Sequence, residues 1–397
     1  MNVNVRPAFV PRRRLAGAAQ RVHQPPTASA AILLISLLLL ATSLLAAPAS
    51  LEQSALWTAG QEGYHTYRIP ALLVTAKGSV LAFCEGRKTG SGDHGDVDLI
   101  AKRSTDGGRT WSPHAIVHEE GGDAKITIGN PCPVVDAKTG TIWLPFNRDN
   151  KAVFITSSTD DGKTWSTPRN ISATTVKPDW DWVATGPGIG IQLTRGPHKG
   201  RLVIPSDHKR TLAGKQLEWN SHMMFSDDGG ATWKISAPIQ TGGNECQVIE
   251  RADGSLLVNT RMQGEWQGLR GTATSTDGGA TWTPIMHEKQ LPCPKCQASS
   301  LRYDEKRLLF SNPFPPEPKD GKPSGARVHL TVRSSPDDGK TWPIAKRLHE
   351  GPSAYSSLAR LPDGTLLCLY EGGEKRAYET LRLARFNLEW LTEAGSK

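Results

Sequence analysis

Six times along the chain a turn is followed by a short apolar run that ends on a different kind of residue. The copies are KGSVLAFCEGR (77–87), TGTIWLPFNR (139–148), KGRLVIPSD (199–207), DGSLLVNTR (253–261), EKRLLFSNP (305–313) and DGTLLCLYEG (363–372). Each run has the length and the bounding turns of a buried strand. Between them a second pattern, S-x-D-x-G-x-T-W, recurs five times, beginning at Ser104, Ser158, Ser226, Ser275 and Ser335. Its Asp can bond nearby backbone N–H groups and its Gly can take positive φ, which marks a tight turn. A calcium loop would need more acidic ligands at alternate positions. The Thr-Trp that closes each copy can begin a strand and bury a large ring. No stretch after the leader carries a long helical period. Six copies of an all-β unit, about 52–62 residues apart, predict a six-bladed β-propeller. The sixth unit lacks a recognisable S-x-D-x-G-x-T-W turn.

Register sharpens this expectation. Seven residues beyond the turn glycine, or beyond Lys306 in the fifth copy, stand Glu85, Asn147, Asp207, Arg261, Pro313 and Glu371. If the six strands line the propeller axis, five of these residues place a polar ring, mixing carboxylates with Arg, around one mouth. Such a ring predicts a site.

The first 49 residues differ from the rest: Arg6, Arg12, Arg13, Arg14 and Arg21, no acidic residue, then the apolar AILLISLLLLATSLLAAPAS. This reads as a signal peptide or leader over 1–49, cleaved near Ala47–Ala49, with the propeller over 50–397. The other reading is an uncleaved membrane anchor. The expected location is therefore secreted or periplasmic, with membrane attachment only if the leader stays. Without the leader's five Arg the formal charge of +8 falls to +3, which removes the support for a nucleic-acid partner. Six Cys remain, at 84, 132, 246, 293, 296 and 368. An exported chain could pair some of them, and CPKC at 293–296 reads as a loop disulfide or two free thiols rather than a metal site.

Three further residues point to the funnel. Arg68 stands in YHTYRIPALL, Arg327 on the alternating strand GARVHLTVRSS, and Tyr355 in the loop GPSAYSSLARLPDG. YRIP, the five Asp turns, NECQVIE…NTR and AYSSL…LYEGG, in that order, resemble the exo-α-sialidases (neuraminidases) of the bacterial and animal type. The resemblance covers nearly all of the chain after the leader. It implies an arginine triad of Arg68, Arg261 and Arg327 for the sugar's carboxylate. It also implies Glu371 orienting the first Arg, Tyr355 as nucleophile, Glu245 as the carboxylate that activates it, and Arg87 near the acyl-amino side. Asp93 is implied as general acid/base, with Asp96 as the alternative. Planar guanidiniums suit a carboxylate through charge-assisted, partly bidentate bonds. Sialidases are a general exception among glycosidases in using a Tyr nucleophile. The implied partners are sialylated oligosaccharides, glycoproteins or gangliosides, with no cofactor and no metal; no H-E-x-x-H or comparable His cluster occurs. A trans-sialidase would share every one of these residues, whereas a non-catalytic sialic-acid-binding propeller would lack Tyr355, Glu245 or Asp93. DWDWVATGPGIG (179–190) would border the sugar or cap a blade.

Overall fold

A computed structural model describes residues 48–264 and 266–393. All but the last two residues of the expected 1–49 leader lie outside the described residues. The rest is all-β in a β-propeller arrangement, with helix confined to Ser172–Thr175, Ala213–Lys215 and Leu388–Thr392 among the described residues.

Five antiparallel sheets form, of four, five, five, four and seven strands. The first runs through Thr66–Val74, Val80–Arg87, Val97–Ser104 and Ala115–His118. The second is built around Ile142–Arg148, the third around Leu202–Thr211, and the fourth around Leu256–Met262. These four have the form of single blades. The seven-stranded sheet is the departure from six separate blades: the 17-residue strand Ile344–Arg360 runs through HEGPSAY without a break. It pairs with Val328–Ser335 near its start and with Leu366–Gly372 near its end, so the fifth and sixth repeats share one sheet.

The six repeated apolar runs are all strands, but each is the second strand of its unit and not the innermost. The strands before them make the axis. There Gln247 Nε2 and Gln297 Nε2 both donate to the Pro187 carbonyl, at 3.2 and 3.1 Å. Gln297 also donates to Ser356 O (3.0 Å), and Ser356 N returns a bond to Gln297 Oε1 (3.0 Å). Apolar clusters fill the seams between sheets, for example Leu81 and Phe83 against Leu144 and Phe146.

The Asp turns are local staples, as expected. In each, the Ser hydroxyl donates to the Asp at 2.7–2.8 Å. The Thr directly before the Trp, Thr232 in the third copy, gives both its N–H (2.9 Å) and its hydroxyl (2.6 Å) to Asp228. Gly230 has φ +96°, and a Cβ there would lie 2.1 Å from the Trp143 ring of the preceding sheet, so only Gly fits. The Trp rings pack into the seams, but the outer strand begins beyond them, at Ala115 after Trp111, for instance. Each turn joins the third strand of a unit to its outer strand. In the last unit the outer strand is Leu51–Thr58, supplied by the N-terminal end and paired with Thr380–Phe386. No third-to-outer turn exists there, which is why the sixth Asp turn is missing.

Candidate active site

The strand ends and first strands converge on a polar cleft of about 290 Å³. Three first strands carry a register shift where a candidate residue sits: Arg68/Ala71, Gly243/Cys246 and Ser353/Ser356. A bulge puts one extra residue into a strand and re-aims its side chain. Arg68, Glu245 and Tyr355 stand at these three irregularities, and Ile69, next to Arg68, takes φ +61°, a conformation that a β-branched residue rarely adopts. The strain is held by Glu371, whose carboxylate accepts from Ile69 N (3.0 Å), from Tyr355 N (3.1 Å), and from Arg68 Nε and Nη2 (2.9 and 3.2 Å). Glu371 is fully buried, so its charge is neutralised by one bidentate guanidinium and two backbone donors.

Tyr355 is the meeting point. Its hydroxyl donates to Glu245 Oε1 in a short bond, and it accepts from Arg261 Nη1 at 3.2 Å. Arg261 Nη1 also donates to Glu245 Oε2 at 2.7 Å. The Arg68 and Arg327 guanidinium carbons stand 5.1 and 5.7 Å from the centre of the Tyr355 ring. Burial and then the Glu245 charge push the phenol well above its ordinary pKa, while Arg261, Arg327 and Arg68 pull the other way. The phenol therefore keeps its proton and passes it only to a base.

Asp93 sits on the loop between Val80–Arg87 and Val97–Ser104, with three-quarters of its side chain open to solvent. It bridges Arg87 Nη1 (2.9 Å) and Arg68 Nη1 (3.3 Å). Desolvation raises its pKa, but Arg87 and Arg68 outweigh that and hold it below the usual carboxylate range. Asp96, the alternative, is buried away from the cleft beside Lys88, at 3.4 Å. Arg87 is bound by Glu85 (Nη2–Oε2 2.6 Å) and holds the Ser91 and Gly92 carbonyls (2.6 and 2.9 Å), so it fixes the loop that carries Asp93. Arg327 lies just before Val328–Ser335 and not on an alternating strand; His329 at φ +55° breaks the alternation.

Apart from Trp182, the other cleft residues carried no signal in the sequence. Tyr378 accepts from Arg327 Nη1 (3.2 Å), and its ring centre is 4.0 Å from the Arg68 guanidinium, so it spaces two like charges. The opposite wall holds Asn130, Asn150, Trp182, Lys209, Trp219 and Gln263. In the DWDWVATGPGIG segment, Trp182 lines the cleft, and Trp180 stacks on buried His208 with ring centres 3.7 Å apart. All six Cys are buried free thiols; Cys293 Sγ donates to Cys296 O at 3.5 Å.

Comparison with known proteins adds family. The BNR repeat-like domain family matches residues 78–368. A sialidase of Micromonospora viridifaciens is 35% identical over 84% of this chain and 53% of its own length. The chain belongs to the sialidase family. A sialidase of Bacteroides fragilis is 33% identical over 79% of this chain and 61% of its own length. The chain thus spans about half to three-fifths of these curated sialidases. Among solved structures, the Hadza microbial sialidase Hz136 superposes with a TM-score of 0.74 at 29% identity, covering 86% of this chain and 69% of that one.

Proposed function

We propose that the protein is an exo-α-sialidase that releases terminal α-ketosidically linked sialic acid with retention. One observation carries this reading: a buried phenol bonded to a carboxylate, with three guanidiniums around it. Arg68, Arg261 and Arg327 grip the sugar's carboxylate, which sets the anomeric carbon against Tyr355. That carboxylate would repel an anionic nucleophile, whereas a neutral phenol whose proton goes to Glu245 does not. The phenol oxygen bonds to the anomeric carbon as the glycosidic bond breaks, and Asp93 protonates the leaving oxygen. Asp93 then takes a proton from water, whose oxygen attacks the anomeric carbon and frees Tyr355, which regains its proton from Glu245. Arg87 and Arg68 hold Asp93 ionised. A substrate carboxylate on Arg68 weakens that hold and raises the Asp93 pKa towards that of an acid.

The substrates in this reading are sialylated oligosaccharides, glycoproteins or gangliosides. The leader directs export to a secreted or periplasmic location. The seven-stranded sheet acts as two blades sharing one strand, for a ring of six. Supporting this, Leu309 and Val332 of one half pack on Leu366 and Tyr370 of the other as separate sheets do.

The test is incubation with sialyllactose, following the first-formed anomer of free sialic acid by NMR. Early α-anomer is expected. Transfer to added lactose in place of hydrolysis would make the protein a trans-sialidase, and binding without release would make it a sialic-acid-binding propeller.

A further inference from the structure

The ring of strand-end residues contains one carboxylate that the reaction above does not use. Glu85 is spent on Arg87, Asn147 on the Thr185 N–H (2.8 Å), Arg261 on Glu245, and Glu371 on Arg68. Asp207 is fully buried at the same register of the third sheet. Its Oδ2 accepts a short bond from Asn244 Nδ2, while its Oδ1 is buried without a partner.

Asn244 immediately precedes Glu245 inside the register shift between Gly243 and Cys246. That shift is what turns Glu245 towards Tyr355. Three groups clamp Asn244. Its carbonyl accepts from Ser221 Oγ (2.6 Å), its N–H donates to Thr260 Oγ1 (3.1 Å), and its side chain is tied to Asp207. Gly243 lets the strand approach the third sheet this closely, since a Cβ there would meet Ser221 Oγ at 2.6 Å. Of the three, only the Asp207 tie comes from a titratable group.

We propose that Asp207 is a positioning residue for the proposed base, acting in its neutral form through Asn244 to hold the bulge that aims Glu245 at Tyr355. The inference rests on the sialidase reading of the site. Burial, then the Glu245 charge, drive the Asp207 pKa well up, against Arg261 and the Asn244 bond. The titratable or charged groups facing it are Glu245 and Cys246 on the strand Gly243–Glu250 and Arg261 on Leu256–Met262. His208 and His222 neighbour it in sequence or register on Leu202–Thr211 and Leu217–Ser226, and they bond each other, Nδ1 to Nδ1, at 3.1 Å. An ionised Asp207 would leave Oδ1 unsolvated and would compete with Glu245 for Arg261. The neutral acid lessens the first cost and removes the second.

The experiment compares Asp207→Asn, Asp207→Ala, Glu245→Gln and the Asp207→Ala/Glu245→Gln pair on sialyllactose, with thermal melts of each. Wild-type hydrolysis is measured first; its absence refutes the sialidase reading and leaves Asp207 to be judged by the melts alone. Asp207→Asn keeps an acceptor and no charge, so its kcat should stay within about threefold of wild type. Asp207→Ala should lower kcat by roughly ten-fold or more with KM little changed. In the Glu245→Gln background the same Ala substitution should cost almost nothing further, because the two residues act as one unit. A free Asp ionises near pH 4 in the unfolded chain and stays protonated in the fold, so wild type loses stability as pH rises above that. The melting advantage of Asp207→Asn over wild type should therefore grow from about pH 4 upward. The proposal is overturned if Asp207→Asn is as impaired as Asp207→Ala, if Ala leaves kcat intact, or if the Ala effect is undiminished without Glu245. A melting difference that does not grow with pH overturns the neutral form, with or without wild-type activity.

Discussion

The outer rim and the mouth of this propeller are built from the same polar residue types by opposite means. On the rim, five Asp turns solve one problem five times, each within a few residues of chain: Ser158 to Asp160, Thr164 to Asp160. At the mouth no two contacts repeat. Arg68 reaches Glu371 across 303 residues and Tyr355 reaches Glu245 across 110. The rim Asp residues are satisfied by neutral donors and lie at the surface. At the mouth the buried Glu85, Glu245 and Glu371 are each balanced by a guanidinium. Local repetition yields stability; convergence from distant strands yields a charged cleft in which ion pairs such as Arg68–Glu371 join parts of the chain far apart in sequence.

The comparison breaks most sharply at Tyr355. Tyr355→Phe leaves the ring between Arg68 and Arg327 but removes the oxygen that meets Glu245. Turnover of sialyllactose should fall on the order of a thousandfold while affinity for an unsaturated sialic-acid analogue survives. Near-normal turnover would relegate Tyr355 to packing. Next, Arg327→Lys replaces a planar fork with a point charge. KM should rise about ten- to hundred-fold, since a charged, bidentate contact is worth about 1.5–3 kcal/mol. A change in kcat alone would place Arg327 outside the carboxylate grip.

The rim should respond in stability and not in kinetics. Asp228→Ala removes the acceptor of Thr232 and Ser226 and should cost about 1 kcal/mol of stability, read by denaturant unfolding, with kcat unchanged. Although desolvation opposes it, bonding to Thr232 holds the Asp228 pKa down to about 2, and Asp277 is held at about 2 in the same way by Thr281. A depressed folded pKa gives stability that is complete above the unfolded value near 4 and is lost as pH falls towards 2. Wild-type unfolding should therefore steepen in that window, and Asp228→Ala should flatten it slightly. The smallest effect is expected at Tyr378→Phe. It keeps the ring beside Arg68 and removes only the Arg327 acceptor, so KM should rise by about threefold.

The fold was legible where its cause is local. Apolar runs marked all six units and Asp turns five of them, because each depends on a few consecutive residues. The seven-stranded sheet was not legible, because nothing in HEGPSAY distinguishes a strand that continues from one that ends. The site was legible through the family resemblance more than through pattern. Tyr378 lies in an unremarkable hairpin, and Lys209 and Trp219 come from a hairpin whose height no motif encodes. The ring of strand-end residues came from register and holds Glu85, Asp207, Arg261 and Glu371, but its strands stand one step away from the axis.

By itself the sequence determined the all-β class, the repeat and its length, the local turn chemistry and the residue types available for a sugar acid. It did so because hydrophobic period and turn propensity act over a few residues. Only the tertiary structure decided which guanidinium meets which carboxylate. Three bulges aim Arg68, Glu245 and Tyr355 inward, one strand serves two repeats, and the N-terminal strand closes the last sheet in place of a sixth Asp turn. Each of these depends on the distance between parts of the chain far apart in sequence, and burial at that distance sets how strongly each charge in the cleft is felt.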